Sequence, residues 1–209
     1  MEISQDQFRQ MLRTAAESLL AHEDELSDID SRFGDGDHGV TMGKIARLIL
    51  EETDRWADES IADFLDTLGM DVMEVKGGSA GPLYGTLIGG LGAELSGADA
   101  LGEAEARAMF AGCLAEMEDI TDAAVGDKTM MDALIPAAEA AQTASGARGV
   151  FLAAAAAAEA GAERSRDFPS KYGRAKSYKE ATVGTPDAGA VSVSLFLRGL
   201  ADGLPDESL

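Results

Sequence analysis

Apolar residues recur along most of the chain at intervals of three and four, the spacing that gathers them on one face of an α-helix. Ser4 and Gln7 form a capping-box pair ahead of Phe8, Met11, Leu12, Ala15 and Leu19, which predicts a first helix. Leu26, Ile29 and Phe33 predict a short second helix that stops at Gly34. A third runs from about Gly39 to Thr53, with Ile45, Leu48 and Ile49 inward. Ser60 caps a fourth, whose apolar face is Ile61, Phe64, Leu65, Leu68, Val72 and Val75. A fifth follows Gly81, with Leu83, Leu87, Leu91 and Leu95 four apart, and a sixth spans roughly Gly102 to Glu118. A seventh begins near Lys128, an eighth covers the Ala-rich segment to about Arg166, and a ninth runs from about Gly189 to Asp202. Only Ala190 to Leu197 shows strand-like alternation. The pattern predicts a single all-α domain over residues 1–209, a bundle or a helical barrel.

The glycines punctuate this pattern unevenly. Gly34-Asp35-Gly36-Asp37-His38-Gly39 precedes the third helix, and Gly77-Gly78-Ser79-Ala80-Gly81-Pro82 precedes the fifth. Gly126-Asp127-Lys128-Thr129 precedes the seventh, and Gly184-Thr185-Pro186-Asp187-Ala188-Gly189 precedes the ninth. Two helices separate each loop from the next, one leaving and one returning. In an up-and-down arrangement that parity brings all four loops to one end. Each loop also offers a helix N-terminus, with backbone N–H groups and a partial positive charge that suit an anion. The segment from Phe168 to Pro186 is the longest without helical pattern. It carries Lys171, Arg174, Lys176 and Lys179, and a structureless stretch of that length points to function or mobility.

Charge sharpens the picture. The formal net charge is −21, which argues against nucleic acid and anionic membranes as partners. A polyphosphate would be repelled too, unless a cation stood between it and the protein. Asp30, Asp35 and Asp37 offer the place for one. Carboxylates this close in sequence repel one another without a bound cation, and a set of oxygen donors selects a hard ion such as magnesium. The loop is not an EF-hand, because no glutamate closes a loop of the required spacing. Nor is it a P-loop, since Gly43-Lys44 is followed by Ile45 and lacks the earlier glycine. An isolated Asp-x-Asp turn is commonly just solvated; four loops agreeing in parity favour a site.

At these residues the chain resembles the nucleotide-binding (L) subunit of bacterial dihydroxyacetone kinases, which also occurs as the C-terminal domain of single-chain versions. The resemblance runs over essentially the whole sequence. Asp30 with Gly34-Asp35-Gly36-Asp37-His38-Gly39 has the spacing of the family's three magnesium-binding aspartates. The runs Gly77 to Thr86 and Gly126 to Asp132 match two further signature loops, while Gly173-Arg174-Ala175 and Asp187-Ala188-Gly189 match a C-terminal pair less closely. The resemblance implies a closed barrel of eight antiparallel helices, with an apolar cavity that can admit lipid. It implies two magnesium ions bridging Asp30, Asp35 and Asp37, the candidate catalytic residues, to ADP or ATP. His38, Gly39, Val40, Thr41, Ser79 and Ala80 would contact phosphates. Thr129 and Met130 would contact the nucleotide, Met130 at the adenine; Arg174 would reach it, and Asp187, Ala188 and Gly189 would close the site. The sugar would sit on a separate K-type subunit, and a phosphohistidine carrier protein could recharge a retained ADP. Departures fall in one place. Lys176 to Ala181 lacks the family's second arginine, and Pro186 precedes Asp187 where the family has Asp-Pro-Gly. Lys176 or Lys179 is a candidate to replace the missing charge.

Several single residues carry two readings each. His38 could act as a base or orient a phosphate or a carboxylate. Lys128 could touch a phosphate or pair with Asp127 or Asp132. Trp56 is expected to pack helices, Met70, Met73 and Met131 to fill core, and Cys113 to be inert. The lone cysteine excludes an internal disulfide, and no leader or span of roughly 20 apolar residues stands out, so a cytoplasmic location is expected. The sequence leads to a phosphotransferase component acting on a small ketose such as dihydroxyacetone or erythrulose. Alternatives are a nucleotide-sensing regulatory module that binds a partner without turnover, and a lipid-carrying helical barrel.

Overall fold

The computed structural model describes residues 2–97 and 100–205. Its helices are α1 (Gln5–Ala21), α2 (Glu23–Ser31), α3 (His38–Arg55), α4 (Ile61–Met73), α5 (Ala80–Ala93), α6 (Glu103–Ile120), α7 (Met131–Thr143), α8 (Ala147–Arg164) and α9 (Ala188–Asp202). Helix α1 packs on α3, α3 on α4 and α5, and α4 on α5. The series continues through α6, α7, α8 and α9, and α9 returns to α1. Eight helices thus close a ring, and the short α2 sits against α3 and α9 without joining it.

Local chemistry starts and packs these elements. Ser4 and Gln7 cap α1 reciprocally, with Ser4 N donating to Gln7 Oε1 at 2.8 Å and Gln7 N to Ser4 Oγ. Ser60 Oγ accepts from Asp63 N at the head of α4. Inside the ring a single apolar core forms around Phe8, Leu12, Met42, Ile88, Phe110, Phe151 and Phe196. Trp56 packs as expected, stacked on Phe64 at 4.0 Å and edge-on to Phe8. The many glycines of α5 have a cause the sequence pattern left out. A side chain on Gly69 of α4 would stand 2.8 Å from the Gly85 carbonyl, so the two backbones meet almost directly.

Two expectations need correction: Met70 and Met73, expected to fill core, are exposed on α4, and the seventh helix starts later than expected. The expected ninth helix is present as α9, and the strand-like alternation from Ala190 to Leu197 within it reflects burial on more than one face. The one strand pairing among the described residues is instead Ile3–Ser4 (β1) with Ala100–Leu101 (β2), antiparallel and too short to show a period. Helix α7 begins at Met131 rather than near Lys128, since Lys128 takes a positive φ that a helix forbids. No helix among the described residues is long and apolar enough to cross a membrane.

Candidate functional site

The loops that precede α3, α5, α7 and α9 meet at one cavity of about 300 Å³. Loop parity therefore predicted the geometry correctly. Asp30, Asp35, Asp37, His38, Ser79, Ala80, Thr129, Met130, Arg174, Asp187, Ala188 and Gly189 all line it. Gly39, Val40 and Thr41 do not. Gly39 is pressed against Glu23 and Ser27 of α2, Thr41 is buried beneath Gly77, and Val40 faces solvent.

The acidic wall is built by local backbone geometry. Asp30 ends its helix close to Gly34, where any side chain would collide with the Asp30 carboxylate, and Gly36 turns the loop at a φ of +75°. Asp37 stands at the N-cap of α3 but makes no capping bond with its side chain. One oxygen from each of Asp30, Asp35 and Asp37 comes within 4.8 Å of the others. The Asp37 carboxyl is held above its ordinary range, first by burial and then by the charges of Asp35 and Asp30. Arg174 opposes that rise and is ion-paired with Asp35. Three carboxylate oxygen donors at this separation fit a hard divalent cation.

Opposite this wall, the loop before α7 is braced from inside. Asp132 accepts from Gly126 N at 2.6 Å and from Thr129 N at 2.8 Å. Lys128 was expected at a phosphate or in a pair with Asp127 or Asp132. Instead its buried ammonium donates to the carbonyls of Ser165 and Thr185, at 2.7 and 2.5 Å, and so ties the loop before α7 to the one before α9. Burial pulls its pKa down, with Asp187 and Asp132 nearby resisting. Asp127 pairs with Lys171 at 2.5 Å. Asp187 caps α9 through Ala190 N at 2.8 Å, while burial pushes its carboxyl up to about 7. Gly189 leaves room for Met130, whose Cβ lies only 3.4 Å from where a side chain would begin.

The segment 168–186 folds over this mouth. Arg174–Thr182 is a run of 3-10 turns broken at Lys179. Tyr178 packs on Phe33 at 5.3 Å, and Lys171 and Arg174 anchor the segment to Asp127 and Asp35. Lys176 and Lys179 are exposed and do not line the cavity.

His38 opens α3 half-buried, with Nε2 2.9 Å from Ser192 Oγ. Burial lowers its pKa, against the pull of Asp30 and of the Ala188 backbone. Sequence reasoning missed Ser192, an ordinary helix residue 154 positions away. It also missed Ser170, Tyr172 and Tyr84, which line the wall. Tyr84 lay inside a signature loop and could have been flagged; the others carried no local signal. Cys113 is buried, its thiol pushed up to about 12, which makes it inert as expected.

With this geometry in hand, comparisons with known proteins agree. Residues 32–202 match the DAK2 domain. The chain is 36% identical to the D-erythrulose kinase of Mycolicibacterium smegmatis over 90% of its own length and 33% of that protein's. It is 31% identical to the ADP-binding subunit DhaL of PEP-dependent dihydroxyacetone kinase 2 from Listeria innocua, covering 94% of both. Among solved structures it superposes on the dihydroxyacetone kinase from C. freundii in complex with AMP-PNP and Mg2+, with a TM-score of 0.74 and 27% identity. That match covers 97% of this chain and 34% of that one. The chain therefore spans about a third of the larger kinases and nearly all of the separate subunit.

Proposed function

The chain belongs to the DAK2-domain family, and from that premise we propose that it is the phosphoryl-donor component of a ketose kinase. It would hold Mg-ADP or Mg-ATP and pass phosphate to a small ketose carried on a separate K-type subunit. The observation that carries this reading is the convergence of four loops, each opening a helix, on one cavity walled by Asp30, Asp35 and Asp37. Helix N-termini present N–H groups to phosphate oxygens without any need for basic side chains.

Magnesium, when bound, supplies the positive charge that lets so acidic a chain keep a polyphosphate and that offsets charge developing in phosphoryl transfer. Asp30, Asp35 and Asp37 would hold it, and Arg174, freed from Asp35, would turn to the nucleotide. The loop ending in Met130 and Gly189 would flank the base, and the 168–186 segment would shield the phosphates from water. The relative from Listeria innocua is a subunit of a PEP-dependent kinase, which supports recharging of bound ADP by a phosphocarrier protein here as well. The ring interior is filled by the apolar core, and mass spectrometry of co-purified ligands tests whether a lipid tail can enter it.

Binding of ADP with magnesium at a hundred times Kd should raise Tm by about 5–10 °C. Asp35→Asn should abolish that shift while leaving the ligand-free Tm nearly unchanged, because its ion pair is largely exposed. No shift in the unaltered chain at millimolar nucleotide would end this reading.

A further inference from the structure

Ser192 lies in α9, fully buried, with its hydroxyl donating to the Gly189 carbonyl at 3.0 Å. The same oxygen is 2.9 Å from His38 Nε2 at the head of α3. A serine hydroxyl has one hydrogen and two lone pairs. With that hydrogen committed to Gly189, the bond to His38 runs from Nε2–H to Oγ. Tyr84 of α5 stands behind the pair, buried, and its hydroxyl senses Ser192 without reaching a good hydrogen bond.

We propose that Ser192 is a positioning residue that holds the His38 imidazole through Nε2, leaving Nδ1 as the nitrogen available to whatever occupies the cavity. The proposal rests on the nucleotide-site reading above for its functional consequence, though not for the arrangement itself. A neutral ring protonated at Nε2 offers an acceptor at Nδ1. The group it recognises is therefore a hydrogen donor, a ligand hydroxyl or a coordinated water, and not a bare phosphate oxygen. Ser192 also joins the N-terminal turn of α9 to that of α3, so the two sides of the cavity share one hydrogen-bonded link.

The chain has two histidines, which makes the test clean. His22 Nδ1 lies 2.7 Å from the Ser18 carbonyl, an acceptor only, so His22 carries its hydrogen on Nδ1 and serves as the opposite reference. Long-range 1H–15N spectra of the labelled full chain at pH 8 should show His38 as the Nε2–H tautomer and His22 as Nδ1–H. In Ser192→Ala, His38 should become a tautomer mixture, and calorimetry should show Mg-ADP binding about three- to ten-fold weaker. Ser192→Thr, which keeps the hydroxyl, should restore both. An Nδ1–H signal for His38 in the unaltered chain would overturn the proposal. So would an unchanged ring spectrum in Ser192→Ala, or equal loss of affinity in both variants. The expected spectra without any Mg-ADP binding would sink the functional reading and leave the His38–Ser192 arrangement standing.

Discussion

A carboxyl at the N-cap of α9 is the most heavily perturbed acid in the cavity wall. Asp187 is enclosed, beside the Asp132 carboxylate, and the nearby Lys128 ammonium and the Ala190 and Gly189 amides only partly compensate. The folded chain keeps a proton on it up to about pH 7, whereas the unfolded chain sheds it near 3.8. Between those values unfolding releases a proton, so this residue makes stability fall as pH rises, by at most about 1.4 kcal/mol per pH unit. Asparagine can accept the same bond from Ala190 N without titrating. Asp187→Asn should therefore be more stable than the parent at pH 8 and differ little from it near pH 4. Urea unfolding at both pH values checks this, and parallel profiles for the two proteins would refute it. The group sits where a nucleotide is expected, and a cavity that keeps an acid neutral is less repulsive to phosphate than the formal charge suggests.

At the scale of elements, the contrast between two lysines shows which contacts brace the site. Lys128 is buried and its ammonium satisfies two carbonyls on different segments; Lys171 pairs with Asp127 at the surface. Lys128→Met leaves both carbonyls without their donor and should lower the unfolding free energy by about 2–4 kcal/mol. Lys171→Met should cost less than about 1 kcal/mol. Denaturant melts of the two variants separate these outcomes, and equal losses would show that Lys128 is no strut. This brace also marks the limit of what the sequence could tell. Helices α1 to α6 were legible because their apolar spacing and their Ser4 and Ser60 caps are local signals. The acidic loop was legible because Asp30, Asp35 and Asp37 are close in sequence and share one chemistry. The strut was not, since its acceptors are backbone carbonyls 37 and 57 positions away, invisible to residue type. The same holds for Ser192 and for the 3-10 turns of Arg174–Thr182, whose shape depends on tertiary anchors at Phe33, Asp35 and Asp127.

For the molecule as a whole, the site must work inside a field of the wrong sign. A net charge of −21 repels Mg-ADP, which is itself anionic, at every distance beyond the cavity mouth. The favourable terms, helix N-termini and the metal, act only within the site, where salt screens poorly; the repulsion acts through solvent, over a Debye length of about 8–10 Å near physiological salt. Raising ionic strength should therefore remove more repulsion than attraction. The association rate of Mg-ADP is expected to increase as salt rises from about 10 to 150 mM, the reverse of an electrostatically steered ligand. The dissociation rate should change much less, because the bound contacts are enclosed. Stopped-flow measurement with a fluorescent ADP analogue reads both rates. A falling association rate would mean that Arg174 and the exposed lysines of the 168–186 segment create a local positive funnel strong enough to override the global charge. An unchanged rate would place the barrier in opening that segment instead.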